Sequence, residues 1–177
     1  MKCLYVMCGV PGSGKSTFIK NHLFDFVESE DYVVVVSRDD IRFSLLNTDE
    51  AISEDKYFSK EDEVWEKYIK DIKDGLDNGL TVVADATHLN LASRSKLLRA
   101  LGKSLKDTHV IFIAIKCPLD FCLKNNDKRF GLSHVPEKTI KNMYKSFTIP
   151  TLEEGNSVIV YYPVENKYKL INEEGEI

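Results

Sequence analysis

Short apolar runs alternate along this chain with stretches in which apolar residues recur at helical spacing. Uninterrupted apolar runs are typical of buried strands. They predict strands at residues 2–8, 32–37, 80–85 and 108–115. The second of these holds four consecutive valines and is therefore expected to be buried. Near the end of the chain, residues 157–162 and 168–172 fit either a closing strand or a hairpin.

Between these predicted strands, apolar residues recur at helical spacing. The predicted helices cover residues 15–29, 39–47, 59–78, 91–102, 118–126 and 136–147. The last two begin with proline, which is tolerated there because the N–H that it lacks would have no partner inside the helix. A polar and basic loop, residues 127–135, separates these two helices.

Strands and helices that alternate in this way predict an α/β fold, with a central parallel sheet and helices on both faces. A length of 177 residues fits a single domain over residues 1–177. Ligands of such folds bind outside the carboxyl ends of the strands. Polar residues that directly follow a strand are therefore the first candidates for a functional site.

A glycine-rich loop follows the first predicted strand and leads into the first predicted helix. Residues 9–16 fit the P-loop pattern G-x-x-x-x-G-K-[ST]. Small residues are needed there because backbone N–H groups, aided by the positive end of the helix, must converge on phosphate oxygens. The pattern predicts that the lysine reaches the β- and γ-phosphates of ATP. The predicted ATP-binding residues are Gly9, Pro11, Gly12, Ser13, Gly14, Lys15, Ser16 and Thr17.

The same motif predicts a magnesium site. The hydroxyl group of Ser16 would bind Mg²⁺, because the last residue of a P-loop has that role. Asp85 ends the predicted strand 80–85, where a carboxylate can orient the metal directly or through its water. An aspartate at that point can instead form a turn or cap a helix, and this alternative stays open.

A second polar cluster, S-R-D-D-I-R at residues 37–42, follows the valine-rich strand. Asp39 and Arg42 are spaced so that they share one face of a helix. A carboxylate that takes the proton of an attacking hydroxyl, beside a guanidinium that binds an acceptor phosphate, would suit phosphoryl transfer. The alternative is that Ser37 or Asp39 caps the helix and Arg42 pairs with an acidic side chain.

The segment N-N-D-K-R-F-G at residues 125–131 resembles a mobile lid, because it is polar and basic and follows a helix. Phosphoryl transfer depends mainly on positioning and charge neutralisation, and an arginine delivered by a lid accelerates it strongly. Arg129 is the predicted lid arginine, and Lys128 is its rival. A surface salt bridge is the other role that either residue can have.

Charge is unevenly distributed along the sequence. The formal net charge is −4, yet residues 94–145 contain 12 lysine or arginine residues against 4 acidic ones. Solvated helix faces account for part of this excess. A local excess of this kind favours a phosphate-binding site over a protein that coats nucleic acid.

The cysteines and the apolar runs indicate in which cellular compartment the protein is expected. Cys3, Cys8, Cys117 and Cys122 form no C-x-x-C pair, so we expect free and mostly buried thiols in a reducing cytoplasm. No apolar run reaches the roughly 20 residues that cross a bilayer. A membrane partner is therefore not expected.

Four motifs occur in one order: GVPGSGKST, SRDDIR, DATHLN, and KRF followed by VPEKTIKNMYKS. Together they resemble the kinase domain of the phage-type polynucleotide 5′-hydroxyl kinase family over about residues 2–147. The resemblance implies an adenylate-kinase-like fold and transfer of the ATP γ-phosphate to a 5′-OH end of DNA or RNA. It implies that Asp39 is the general base, that Arg42 contacts the phosphate 3′ to the acceptor nucleoside and that Arg129 is the lid arginine. Thr87 and Asn90 would belong to a loop on the acceptor side.

The sequence departs from this family at two places. His88 stands where the family usually has an asparagine, and residues 91–94 read L-A-S-R where the family has P-E-R-R. Both differences affect the specificity for the acceptor. His88 could contact the acceptor. The alternative is that it is an exposed loop histidine without such a role. The D-x-D-G-T phosphatase motif that often accompanies the family is absent from this sequence.

Two other functions fit the same residues. A small-molecule kinase acting on a nucleoside, a sugar or a sugar nucleotide, such as a zeta-toxin-like protein, would need the same P-loop, strand-end aspartate and basic lid. A nucleotide-binding switch would need no acceptor, but the guanine-reading motif N-K-x-D is absent. Arg42 favours the polynucleotide kinase, because a neutral acceptor has less need of a phosphate-binding arginine beside the base.

Overall fold

The computed structural model describes residues 2–27, 32–47, 52–172 and 175–176. Its strands are β1 Lys2–Cys8, β2 Val33–Ser37, β3 Thr81–Asp85, β4 Thr108–Ile115, β5 Ser157–Tyr162, β6 Lys167–Asn172 and β7 Gly175–Glu176. They form one seven-stranded sheet in the order β2-β3-β1-β4-β5-β6-β7. Neighbours from β2 to β5 are parallel, whereas β6 and β7 are antiparallel additions. The predicted α/β fold with a central parallel sheet is confirmed.

The α-helices of the described residues are α1 Lys15–Asn21, α2 Arg38–Leu46, α3 Glu54–Phe58, α4 Glu61–Asp77, α5 Leu91–Leu101, α6 Leu119–Asn126 and α7 Glu137–Ser146. Pro118 and Pro136 lie one position before α6 and α7, as their N-caps. Within the described ranges, none of the helices is both long enough and apolar enough to cross a bilayer.

The two faces of the sheet pack against different helices, because successive side chains of a strand point to opposite faces. Leu4 and Val6 of β1 belong to one core, together with residues of α4 and α5. Tyr5 and Met7 belong to a second core that contains Phe18 of α1. Helices therefore cover both faces of the sheet, as the sequence predicts.

The first helix is shorter than the predicted range 15–29. α1 ends at Asn21, and a 3₁₀ turn, Leu23–Phe26, follows it. The backbone leaves the helical region at His22, which has φ −131° and ψ −19°. Leu23 is buried in the turn. The apolar spacing that suggested a longer helix therefore reflects burial of this turn and not a continuation of α1. Ser29 lies outside the described residues.

The predicted helix 59–78 corresponds to α4, and the short helix α3 that precedes it was not predicted. The buried stripe of α4 follows the expected spacing: Val64, Tyr68, Ile69, Ile72 and Leu76. Ser53 caps α3, since its hydroxyl accepts a hydrogen bond from the N–H of Lys56 at 3.4 Å. α3 has 5 residues, too few for an apolar period to be visible.

The valine-rich strand β2 is not buried as predicted. It lies at the edge of the described sheet and pairs with β3. Val36 is buried, but Val35 is 44% exposed. A run of valines indicates a strand but not its place in a sheet, and the edge position leaves part of β2 uncovered.

The segment after α7 completes the sheet. β5 closes the parallel part beside β4 and also forms a hairpin with β6, so both predicted alternatives are present. A buried ion pair holds the preceding loop: Arg94 of α5 is 1% exposed and donates to the two carboxylate oxygens of Glu154 at 2.6 and 2.9 Å. Arg94 also donates to the carbonyl oxygen of Thr148 at 2.9 Å. Its charge, counted in the basic segment 94–145, is thus neutralised inside the protein.

Candidate functional site

The P-loop connects the end of β1 to the start of α1 at the carboxyl end of the parallel strands. Gly12 and Gly14 have φ values of +79° and +106°, in the region that glycine enters without strain. A Cβ atom at Gly12 would lie 2.2 Å from the carbonyl oxygen of Cys122 in α6. The loop therefore rests directly on the backbone of α6, and position 12 has no space for a side chain.

The remaining predicted ATP-binding residues form a buried and an exposed group. Gly9, Pro11 and Ser13 are buried, whereas Ser16 and Thr17 in the first turn of α1 are exposed. Because Ser16 and Thr17 are exposed, a phosphate or a metal ion has access to them. Their assignment to ATP stays a prediction.

Lys15 opens α1, and its ammonium group folds back over the loop. Its Nζ donates hydrogen bonds to the carbonyl oxygens of Gly9 and Val10, at 3.0 and 3.1 Å. Burial lowers the pKa of Lys15, and the carboxylates of Asp85 and Asp39 oppose that shift.

Asp85 ends β3, and its partner in the parallel register with β2 is Ser37. Burial raises the pKa of Asp85, while the positive charge of Lys15 lowers it and the negative charge of Asp39 raises it. A nearby cation stabilises a partly desolvated carboxylate of this kind. Asp85 and Ser16 offer oxygen ligands, which Mg²⁺ prefers, so they fit the predicted metal.

Further protein ligands are not needed for such a magnesium site. In the part of the chain that the structure describes, no group of three or more His, Cys, Asp or Glu side chains is arranged to hold a metal ion. A nucleotide-bound Mg²⁺ takes most of its ligands from phosphate oxygens and water, and one or two side chains suffice.

Asp39 lies in the first turn of α2, directly after β2. Its side chain is 66% exposed and accepts a hydrogen bond from Nη1 of Arg42 at 2.6 Å. Ser37 caps the helix, because its hydroxyl accepts the N–H of Asp40 at 3.2 Å. Asp39 is thus not needed as the cap, and its carboxylate is accessible beside a guanidinium group.

Arg42 is 5% exposed and is bound by several groups. Nη1 also donates to the hydroxyl of Tyr57 at 3.2 Å, and Nη2 donates to Glu61 at 2.8 Å. Burial lowers the pKa of Arg42, but the hydrogen bond to Glu61 and the acidic groups around it raise it above its usual value. The expected pairing with an acidic side chain is present, and the contact with an acceptor phosphate stays a prediction.

Glu61 is a residue of this site that the sequence analysis missed. It opens α4, and its carboxylate accepts hydrogen bonds from both Arg38 and Arg42 of α2. An acidic residue at a helix start has an ordinary local explanation in the helix dipole. The role of Glu61 could have been predicted from α2. Arg38 and Arg42 lie on the face of α2 that packs against the next helix, and two arginines on such a face need an acidic partner there.

The predicted lid lies at the end of α6 and in the loop that joins α6 to α7, and both ends of this loop are fixed. Asn126 is buried; its Nδ2 donates to the carbonyl oxygen of Val135 at 2.8 Å, and its Oδ1 accepts the N–H of Val135 at 3.0 Å. Asn125 donates to the carbonyl oxygen of Gly12 at 3.0 Å and so ties the base of the lid to the P-loop. After burial, which has the largest effect, the charge of Arg129 also helps to lower the pKa of Lys15. Arg129 follows Asn125 by four positions and therefore belongs to the segment that is tied to the P-loop.

The segment after β3 runs beside the P-loop. The carbonyl oxygen of Thr87 accepts the N–H of Gly9 at 2.8 Å. Asn90 caps α5 in a reciprocal arrangement with Ser93, in which each side chain accepts the other residue's N–H at 3.1 Å. Contacts of Thr87 and Asn90 with an acceptor stay predictions.

His88 lies in the core, and the expectation of an exposed loop histidine is wrong. It is 6% exposed, its Nδ1 donates to the carbonyl oxygen of Met7 at 2.7 Å, and its Nε2 accepts the hydroxyl hydrogen of Tyr68 at 3.2 Å. The side chain turns inward because these two polar groups of the core bind both ring nitrogens. Both ring nitrogens are thus hydrogen-bonded inside the protein, and a contact of His88 with an acceptor stays a prediction.

The buried His88 predicts a pH dependence of stability. Burial lowers its pKa from the usual 6.5 to about 4, so between these values the unfolded chain binds a proton that the folded chain does not. The free energy of unfolding is expected to fall as the pH drops through this interval, by up to about 1.4 kcal/mol per pH unit. Urea denaturation at a series of pH values measures this slope.

Two variants separate this effect from the titration of other groups. His88→Asn should have a smaller slope, and asparagine tolerates the positive φ of 35° at this position. His134→Asn replaces an exposed histidine and should keep the slope of the parent protein. Equal slopes in all three proteins would contradict the assignment to His88.

Comparisons with known proteins agree with the P-loop kinase architecture. A family model described as AAA domain matches residues 4–150. The chain is 30% identical over 152 residues to L-seryl-tRNA(Sec) kinase of Methanococcus maripaludis, which covers 83% of this chain and 53% of that protein. It is 26% identical over 175 residues to "Putative bifunctional polynucleotide kinase/RNA ligase" of Autographa californica nuclear polyhedrosis virus, which covers 94% of this chain and 23% of that protein. The chain thus spans about half or less of the length of these two relatives.

Among solved structures, a crystal structure described as "a putative kinase" from Chloroflexus aurantiacus superposes with a TM-score of 0.69. The match covers 91% of this chain and 85% of that chain at 12% identity. At this identity the likeness shows the fold alone.

Proposed function

Because the chain belongs to the AAA domain family and carries a P-loop kinase domain, we propose that it is an ATP-dependent polynucleotide 5′-hydroxyl kinase. The reaction moves the γ-phosphate of ATP to a 5′-OH end of DNA or RNA. The observation that carries the proposal is the pair of exposed Asp39 and buried Arg42, which are 2.6 Å apart at the carboxyl end of β2. The likeness to the viral polynucleotide kinase/RNA ligase supports the same acceptor.

Asp39 acts as the general base in this proposal. Its carboxylate takes the proton of the 5′-OH group as the oxygen forms a bond to the γ-phosphorus. The bond from that phosphorus to the β–γ bridging oxygen breaks, and ADP leaves. Arg42 fixes the orientation of the carboxylate through their 2.6 Å contact. Since Asp39 is 66% exposed, an acceptor hydroxyl has room to approach it.

Positive charge from several residues offsets the charge of the transferred phosphoryl group. Lys15 exchanges its bonds to the Gly9 and Val10 carbonyl oxygens for phosphate oxygens of ATP. Arg129 approaches from the lid. Ser16 and Asp85 would hold Mg²⁺, directly or through water, and the bound ion would supply further positive charge next to the phosphates.

Transfer of label from γ-labelled ATP tests the proposal directly. The protein is incubated with Mg²⁺ and a single-stranded DNA or RNA oligonucleotide that carries a 5′-OH group, in separate reactions. We expect label at the 5′ end, no label on the same oligonucleotide with a 5′-phosphate, and none with Lys15→Ala. ATP binding without label on either oligonucleotide would contradict the proposed acceptor.

Asp39→Asn is expected to lower kcat by roughly 10²–10⁴-fold with an unchanged Kd for ATP. Asparagine keeps the size of the side chain and can still accept the hydrogen bond of Arg42, but it does not take up a proton. Steady-state kinetics and equilibrium ATP binding measure the two quantities. Asp40→Asn, an exposed neighbour on the same turn, is the matched control. Near-full activity of Asp39→Asn would show that another group is the base.

A kinase that acts on a different hydroxyl group is the second candidate. The 30% identity to L-seryl-tRNA(Sec) kinase favours it, and a nucleoside or a sugar would need the same P-loop and lid. The labelling assay is therefore repeated with seryl-tRNA, nucleosides and sugars as acceptors. Label on one of these acceptors, with none on 5′-OH oligonucleotides, would contradict the polynucleotide kinase and support this second candidate.

A further inference from the structure

The outer side of α7 presents a row of lysines, which we call the basic face: Lys138, Lys141 and Lys145. All three are exposed. Their spacing of three and four positions places them on the same side of the helix. From the first to the last of them the helix rises by about 10 Å.

The opposite side of α7 is anchored to the base of the P-loop. Ile140 is buried in a small core that also contains Val10, Cys117 and Cys122. The hydroxyl group of Tyr144 donates to the carbonyl oxygen of Cys117 at 3.1 Å. The basic face is therefore held in a fixed position relative to the site of phosphoryl transfer.

The charges of the basic face are largely unpaired. Lys141 forms an ion pair with Glu137 at 2.5 Å, whereas Lys138 and Lys145 have no acidic partner among the residues that the structure describes. On α4, by contrast, Lys67 and Lys70 each pair with an aspartate one turn later. Residues 124–145 carry six lysine or arginine residues and two acidic ones, in a chain of net charge −4. This concentration of unpaired positive charge favours a polyanionic partner.

An exposed aromatic ring lies in the lid next to Arg129. Phe130 is 85% exposed, the largest value among the large apolar side chains described. Burying such a ring against another flat surface is favourable, and a nucleobase offers that surface without regard to sequence. Unpaired lysines together with an exposed ring are the combination found in proteins that bind single-stranded nucleic acid.

We propose that the basic face and Phe130 bind the single strand that continues beyond the 5′ end at the active site. The lysines contact its phosphates, and Phe130 stacks on one of its bases. The 10 Å rise of the basic face, about the length of three stacked nucleotides, suits a short stretch of the strand. This inference rests on the proposed function, since it gives a nucleic-acid acceptor a second place to bind.

Charge reversal of the basic face tests the proposal. Lys138→Glu/Lys141→Glu/Lys145→Glu is compared with the parent protein in binding a long fluorescent 5′-OH oligonucleotide, measured by anisotropy in the absence of ATP. We expect the affinity to fall by at least about tenfold, and the slope of log K against log salt to become shallower by about two. Phe130→Ala should weaken binding with no change in that slope, because stacking releases no counterions.

The matched control reverses three exposed lysines elsewhere, in Lys67→Glu/Lys103→Glu/Lys106→Glu. It changes the net charge by the same amount and should bind the oligonucleotide almost as the parent does. An equal loss of affinity in this control would overturn the proposal, because it would show a general charge effect. Circular dichroism of each variant verifies that it is folded.

Kinetics with two acceptors separate this surface from the proposed function. Reversal of the basic face should raise KM for a long 5′-OH oligonucleotide and leave KM for a 5′-OH dinucleotide and for ATP unchanged. If the parent protein and the charge-reversed variant phosphorylate oligonucleotides with equal KM, the proposed binding surface is wrong and the proposed kinase function stands. Tight oligonucleotide binding that depends on the basic face, without any phosphorylation, would overturn the proposed function and support the surface.

Discussion

Replacing Arg129 by alanine is expected to lower kcat by roughly 10³–10⁵-fold and to leave ATP affinity nearly unchanged. In the proposed reaction the transferred phosphoryl group carries negative charge on its oxygens, and Lys15 and a bound Mg²⁺ would neutralise only part of it. The hydrogen bonds between Asn126 and Val135 fix the ends of the lid loop, so a guanidinium group at position 129 needs little reordering to reach the phosphates. Single-turnover kinetics and equilibrium ATP binding measure the two effects.

Lys128→Ala is the matched control, because it removes a neighbouring charge from the same loop. Lys128 is exposed, and its Nζ lies 3.5 Å from Oδ1 of Asn125. We expect a change of less than tenfold in this variant. A large loss in Lys128→Ala with a small loss in Arg129→Ala would assign the lid cation to Lys128. Two small losses would show that the lid supplies no charge to the reaction.

Glu154→Ala is expected to lower the free energy of unfolding by about 3–5 kcal/mol. The change removes the carboxylate that binds Arg94 through two hydrogen bonds, at 2.6 and 2.9 Å. Arg94 is 1% exposed, so its guanidinium group would stay buried with an uncompensated charge. Urea denaturation, followed by circular dichroism and by tryptophan fluorescence, measures the loss.

The neighbouring Glu153→Ala is the control, since Glu153 is exposed, and it should change stability by less than about 0.5 kcal/mol. Replacing the pair together, as Arg94→Met/Glu154→Leu, should recover much of the loss, because two apolar side chains leave no buried charge. Equal stability of Glu154→Ala and the parent protein would mean that water reaches Arg94 and compensates its charge.

Most elements of the fold could be predicted because their causes are local. β1 and β4 have the bounds that their apolar runs predict, and the buried stripe of α4 repeats at helical spacing. The P-loop is likewise a local pattern, in which Gly12 and Gly14 stand where the backbone has a positive φ. Shared placement of Asp39 and Asp85 at one end of the sheet follows from the parallel arrangement, since β2 and β3 end side by side.

Partners that are distant in the sequence could not be predicted in the same way. Arg94 lies on a predicted helix that also carries the cations Lys96 and Arg99. Its burial depends on Glu154, 60 residues later. Arg42 depends in part on Glu61, and His88 depends on Tyr68. From hydropathy alone, each of these polar side chains would be expected to be exposed to solvent. Each is buried because a hydrogen-bonding partner from a distant part of the sequence lies next to it.

The ion pair between Arg94 and Glu154 also shows that the segment matched by the family model is shorter than the unit that folds. The family match ends at residue 150, before Glu154 and before β5, whose Val158, Ile159 and Val160 are almost completely buried beside β4. A fragment cut at that boundary would uncover one edge of β4 and leave a buried guanidinium group without its carboxylate. A fragment prepared for expression or for a comparison of domain stability should therefore end after the hairpin of β5 and β6, and not where the family match ends.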